Sequence, residues 1–250
     1  MAGHSKWSTI KRKKGAADAK RGKIFAKLAK EITVAARMGG GDPAANPRLR
    51  SVLLTARGHN MPSDNVDRAI KKGTGELPGV TYDEIRYELY APGGVALIVD
   101  VLTDNKNRTV SEIRHLVNKM GGNMAETGAV SWNFDPQGLL VIPKEGISEE
   151  EMFDKAIEAG AEDVDAEGDV YEIQTAFNQL HVVAEALEAA GVKAEEVKTT
   201  MVPKTTMEID GNTLRSCLRL IEELEEHDDV QDVFSNLDIS DEAMAEVLGE

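Results

Sequence analysis

The sequence predicts an α+β, multidomain fold: an N-terminal three-helix bundle followed by two ferredoxin-like α/β domains, one inserted in the other. Three observations carry this. Apolar residues recur at helical spacing in three segments of the first 73 residues, and the period drops to two beyond about Ile85. Residues 138–201 then run strand, helix, strand, strand, helix, strand, which is the ferredoxin-like order. At 250 residues with 41% hydrophobic composition, the chain is long enough for two or three packed cores.

The first helix runs from Asp18, with Ile24, Leu28, Ile32 and Ala35 on one face, and ends at Gly39-Gly40-Gly41. Asn46-Pro47 reads as N-cap and first residue of a second helix carrying Leu49, Val52, Leu53 and Ala56. A third starts near Pro62-Ser63, carries Val66, Ala69 and Ile70, and stops at Gly73. Thr74 to Val80, with Gly75, Pro78 and Gly79, is a linker. Ile85, Tyr87 and Leu89 alternate with polar residues, Pro92-Gly93-Gly94 makes a turn, and Val95 to Leu102 is a buried strand, so this is a hairpin. A helix through Val110, Ile113, Leu116, Val117 and Met120 follows, then a strand at Ala129 to Phe134. After the βαββαβ segment come a short strand at Thr206 to Ile209, a helix at Thr213 to Glu226 and a strand at Val230 to Ser235. With the pieces before residue 135 these make a second βαββαβ set, so the domains are 1–78, 79–134 with 204–240, an inserted 135–203, and an acidic tail over 241–250.

Charge is distributed unevenly along this plan. Residues 1–73 hold 17 Lys/Arg against 5 Asp/Glu, a formal +12, and residues 74–250 hold 12 against 39, a formal −27. The net −15 therefore conceals a bipolar chain, and asymmetry of this size points to a polyanionic partner for the basic end. Lys6, Lys11, Arg12, Lys13 and Lys14 lie on an arm too poor in apolar groups to order itself. On the first helix Lys20, Lys23, Lys27 and Lys30 form a stripe about a third of a turn from the apolar face, with Arg21 beside it. Ten such cations suffice for the roughly 6–10 phosphate contacts that cost about 10³–10⁵ in affinity between about 50 and 200 mM salt. Trp7 can stack on an unpaired base or anchor the arm to the bundle.

Other chemistry finds little support. His4, His59, His115, His181 and His227 are scattered without the spacing of a zinc site, so no metal and no cofactor is expected. Gly15 to Lys23 imitates a phosphate loop but has six residues between its glycines and Ile24 where Ser or Thr belongs. Asn105, Asn107, Arg108 and Thr109 fall at a strand-to-helix junction that could bind an anion, though Asn107 capping its helix is the simpler account. The acidic runs read as solvated surface or as a body repelled by nucleic acid. The single Cys217 sits in an apolar-periodic stretch and reads as a buried, inert thiol. No run approaches the roughly 20 apolar residues of a membrane span, and no apolar signal core follows the basic start, so a cytoplasmic protein is expected.

Met1-Ala2-Gly3-His4-Ser5-Lys6-Trp7, Lys20-Arg21-Gly22-Lys23-Ile24-Phe25, Asn60-Met61-Pro62, Ala91-Pro92-Gly93-Gly94, Thr103-Asp104-Asn105 and Asn107-Arg108-Thr109 resemble the YebC family. That family includes bacterial proteins described as probable transcriptional regulators and the mitochondrial translational activator of cytochrome c oxidase. The resemblance implies a crescent of three domains and a cytoplasmic, DNA-binding, non-enzymatic regulator of gene expression. It equally implies an association with the ribosome, in which members bind ribosomal RNA and relieve stalling on proline-rich nascent chains. By the same resemblance His4, Lys6, Trp7 and the Lys11 to Lys14 run belong to the nucleic-acid-contacting end. The residues alone do not choose between DNA and ribosomal RNA.

Overall fold

The computed structural model describes residues 17–166, 168–240 and 242–243, with side chains from residue 21 onward. Seven α-helices and three sheets occur among them. Contacts divide the chain into two compact units. One takes in residues up to Lys23, 81–135 and 201 onward, and the other takes in 24–80 and 136–200.

Helix α1 (Ala17–Gly39) enters the second unit at Ile24, where it closes with α2 (Pro47–Gly58) and α3 (Ser63–Thr74) on a core of Ile32, Ala35, Leu49, Val52, Ala56, Met61 and Ala69. The cap of α2 is as the sequence predicts: the Asn46 side chain accepts from the Leu49 N–H at 3.1 Å, and Pro47 opens the helix. Its amide also donates to the carbonyls of Ala35 and Gly40, so one buried Asn ends α1 and starts α2. The α3 helix crosses α1 so closely that a Cβ on Gly73 would stand 2.4 Å from the Thr33 carbonyl oxygen.

The same unit holds a sheet of β4 (Phe134–Pro143), β5 (Asp163–Asp165), β6 (Val170–Ala176) and β7 (Glu196–Pro203), ordered β5-β6-β4-β7. Helices α5 (Glu149–Ala159) and α6 (Leu180–Ala189) connect them, and Leu140, Ile142, Met152, Ala156, Ile173 and Val183 fill the space between. Strand β7 is an edge strand, and α2 lies against it. Thr55 Oγ1 accepts from the Val197 N–H at 3.5 Å, Leu54 packs on the core, and a Cβ on Gly58 would meet the Glu195 carbonyl oxygen at 2.4 Å. An outward N–H on an edge strand needs such cover or invites a foreign strand. Charges line the seat: Arg50 pairs with Glu185, Ser51 Oγ lies 3.2 Å from His181 Nδ1, and Glu196 stands between Lys198 at 2.8 Å and His59 at 3.7 Å.

The first unit is built on the order β3-β1-β2-β9. Here β1 (Asp83–Tyr90) and β2 (Ala96–Thr103) form the predicted hairpin, Asp83 facing Thr103 and Tyr90 facing Ala96. They are followed by α4 (Lys106–Lys119), β3 (Asn123–Met124), β8 (Met207–Glu208), α7 (Gly211–Glu226), β9 (Val230–Ser235) and β10 (Leu237–Asp238). Leu97, Val99, Ile113, Val117, Cys217, Leu218, Ile221 and Val233 fill the core under α4 and α7. Cys217 is buried as expected, and burial pushes its thiol up to about 12.

Two expectations are corrected. Thr206 to Ile209 does not supply a strand to this sheet: only Met207 and Glu208 are extended, and they pair in parallel with Leu237 and Asp238. The place is taken by β1, which lies between β2 and β3. Nor is Ala129 to Phe134 a strand, since Ser131–Asn133 is a 3-10 turn and β4 begins at Phe134. The loop before it is fixed by Glu88, whose buried carboxylate accepts from the N–H groups of Gly128, Val130 and Ser131 at 2.7, 2.6 and 2.9 Å. Burial alone would raise that carboxyl, and the three N–H groups outweigh it and hold it below the ordinary carboxylate value.

Two predictions follow from this packing. Gly→Ala inside a helix ordinarily stabilises by about 0.5–1 kcal/mol. Gly73→Ala should instead cost about 1–3 kcal/mol, because the methyl meets backbone and not a movable side chain, and chemical denaturation would register it. The two histidines of the α2 seat oppose one another. The Glu196 carboxylate raises His59 above 6.5, so its contribution is full below that value and lost as pH rises through the raised one. Burial, then Arg50, lowers His181, so its contribution is full above 6.5 and lost as pH falls. Melting temperatures from about pH 5 to about pH 8 should lose their alkaline decline in His59→Gln and their acid decline in His181→Gln.

Candidate nucleic-acid interface

The α1 helix positions the predicted stripe. Its core face is Ile32 and Ala35, with Phe25 and Leu28 packed against them, and the flank carrying Lys23, Lys27 and Lys30 lies beside that face. Arg21 and Lys23 are exposed, while Lys27 and Lys30 are half-buried. Lys20 belongs to α1 by its backbone, and its side chain lies outside the described residues. His4, Lys6, Trp7, Lys11, Arg12, Lys13 and Lys14 also lie outside them.

Lys23 is engaged. Its ammonium donates to Glu226 Oε2 at 2.6 Å and to the Glu226 carbonyl oxygen at 3.2 Å, at the C-terminus of α7. The carboxylate contact raises the Lys23 ammonium above its ordinary value, with Asp228 adding to it. Two of the bundle's arginines are likewise paired, Arg48 with Glu31 at 2.8 Å and Arg50 with Glu185.

Arg68, Lys71 and Lys72 were not among the predicted contacts, yet all three are exposed on α3, two of them in its last turn. Their spacing at i, i+3 and i+4 was the available signal, since it sets them on one side of the helix. Residues 17–80 hold 12 Lys/Arg against 6 Asp/Glu, so this segment keeps a surplus of positive charge without the arm.

The polar junction between β2 and α4 is a closed structural network. Asn105, not Asn107, caps α4: its side chain accepts from the Arg108 N–H at 3.1 Å, and its own N–H donates to Thr103 Oγ1 at 2.9 Å. Thr103 ends β2, which fixes where the cap must fall. Buried Asp229 Oδ2 accepts from Arg108 Nη2 at 2.7 Å, Thr109 Oγ1 at 2.8 Å and Thr103 Oγ1 at 3.3 Å. Arg108 reaches Asp104 as well, at 2.9 Å, and the guanidinium is raised above its ordinary value by Asp229 and then Asp104. His227 Nδ1 accepts from the Asp229 N–H, so Nε2 carries the proton it presents to Glu112 at 3.1 Å. Arg108 and Thr109 therefore hold β2, α4 and the α7–β9 loop together. Among the described residues no group of three His, Cys, Asp or Glu could hold a metal ion. No helix among them is long and apolar enough to cross a membrane.

Residues 5–76 match the profile "TACO1/YebC protein N-terminal domain", and residues 82–237 match "TACO1/YebC second and third domain". A "Probable transcriptional regulatory protein" of Geobacter sp. (strain M21) is 55% identical, over 99% of this chain and 100% of its own. One of Acidithiobacillus ferrooxidans is 56% identical, over 98% of each. The crystal structure of a conserved hypothetical protein from Aquifex aeolicus superimposes with a TM-score of 0.85 at 48% identity, covering 90% of this chain and 93% of that one.

The junction yields a clear contrast between two of its polar side chains. Asp229→Ala removes the acceptor of two buried hydroxyls and should cost about 1–3 kcal/mol. Asn107→Ala, exposed and not the cap, should stay within about 0.5 kcal/mol. Urea unfolding of the two variants measures both.

Proposed function

The chain belongs to the TACO1/YebC family, and from that premise we propose that it is a cytoplasmic, non-enzymatic, nucleic-acid-binding regulator of gene expression. Binding runs through the basic arm, the lysine flank of α1 and the exposed cations of α3. The observation that carries this is the set of exposed cations Arg68, Lys71 and Lys72 on α3 of an otherwise strongly acidic chain. The names of its relatives favour a regulator of transcription, and the polyanion that such a regulator meets is DNA. Lysines and arginines on helix flanks meet phosphates and do not by themselves read base edges, so the contact is expected to tolerate sequence. As part of the same proposal, 1–78, 79–134 with 204–240, 135–203 and 241–250 are the segments through which binding can be dissected.

Affinity for duplex DNA and for structured RNA should be measured across salt. A strong dependence is expected, and replacing Arg68, Lys71 and Lys72 with alanine should flatten the log–log slope by about 2–3. A flat slope in the wild type, or one that the Lys11 to Lys14 alanine variant leaves unchanged, would falsify the reading. A footprint on one promoter with at least about a tenfold preference over random DNA at matched salt supports transcriptional control. Ribosome co-sedimentation that survives DNase and disappears in the Lys11 to Lys14 variant reassigns the target to ribosomal RNA.

A further inference from the structure

The contact between Lys23 and the end of α7 has two distinct components. One is a carboxylate at 2.6 Å, and the other is a main-chain carbonyl at 3.2 Å belonging to the last turn of a helix of 16 residues. A helix C-terminus presents unpaired carbonyls and partial negative charge, which favour a cation placed on them. The last two turns of α7 and the residues after it bring Glu222, Glu223, Glu225, Glu226 and Asp228 to the same end. To the Lys23 ammonium this end offers what a phosphate offers: a charged oxygen acceptor at short range within a wider negative field.

We propose that the acidic C-terminal end of α7 is an internal competitor for polyphosphate, which occupies Lys23 until a nucleic acid displaces it. The inference rests on the nucleic-acid reading above and specifies how that surface is regulated. Lys23 and Glu226 are each about half exposed, at 48% and 45%, so the exchange needs no unfolding. Exposed ion pairs are weak, commonly about 0.2–1 kcal/mol, and a polyanion offering several phosphates outcompetes one of them. Binding frees the end of α7, whose following loop carries His227 and Asp229 of the β2–α4 network. Occupancy of Lys23 is thereby linked to the sheet of its own unit.

A double-mutant cycle on the full chain tests this. Binding of a labelled single-stranded RNA and of a matched DNA duplex is followed by anisotropy at about 50 mM salt, where exposed charges are least screened. Glu226→Gln with Asp228→Asn should tighten binding by about twofold to fivefold. In a Lys23→Ala background that gain should vanish, because the released cation is gone. Glu222→Gln with Glu223→Gln makes the same change in net charge one turn earlier and should give less than half the gain. Equal gains from the two pairs, or a gain that persists without Lys23, reduce the effect to a general field and overturn the proposal. The ion pair is read separately, as non-additivity of Lys23→Ala and Glu226→Gln in melting temperature. No coupling there overturns the proposal too, and so does coupling without any gain in affinity. A wild-type chain that binds neither probe at any salt instead removes the functional reading, while the melting cycle still reports the ion pair.

Discussion

Charge segregation along a single chain is the constraint on which the structure depends. A segment at +12 and a remainder at −27 attract one another on folding, so the cations near the start must divide between internal partners and the surface. Arg50 joins Glu185 and His59 faces Glu196 at the α2 seat, and Lys23 joins Glu226 at the end of α7. Each of these acids lies more than a hundred residues further along the chain. Glu196 shows how strong local complementarity is: the Lys198 ammonium, ahead of opposing burial and the added contact with His59, holds its carboxyl far below the usual range. The helical segment is therefore seated on the inserted sheet by an apolar contact through Leu54 and by charges of opposite sign around it.

The first unit is held by a different device. Its sheet takes β1 and β2 from before the insertion and β9 from after it, and Asp229 at the start of β9 ties them to α4. One buried carboxylate thus collects two hydroxyls and a guanidinium from a segment more than a hundred residues upstream. A buried acid in this position favours one register, since a slip of one residue would leave it without donors. The register shift between Asp100 and Val101 lies two positions from Thr103, where β2 must bend to bring that hydroxyl onto Asp229.

Most elements were legible in the sequence because their signals are local. The Asn46-Pro47 cap, the helical stripes of α1 to α3, the hairpin about Pro92-Gly93-Gly94 and the strand order of 138–201 each rest on neighbours within about four positions. What failed needed a partner. Met207 and Glu208 alternate no differently from a true sheet strand, and only the presence of β1 beside β2 excludes them. Asn105 and Asn107 are equally good caps by type, and the choice falls to Asn105 because Thr103 Oγ1 receives its N–H. The basic flank of α1 could be counted at 100° per residue, whereas Glu226 opposite Lys23, 203 positions away, could not.

That last pair decides how net charge should enter an account of binding. The screening length at physiological salt is about 8 Å, so most of the acid on this chain is invisible to a phosphate docking at α1. A uniformly repelled acidic body is therefore a poor description of how specificity for one end could arise. The acids that count are those within a few ångströms of a cation, where displacement by the incoming polyanion is stoichiometric: one carboxylate leaves as one phosphate arrives. Glu226 meets that condition for a cation of α1, whereas Glu151 in the acidic run of α5 meets it for Lys155 of its own helix, although each counts equally toward the total of −15. A short-range exchange of this kind makes affinity depend on which carboxylates are near the site, and only weakly on how many the chain carries.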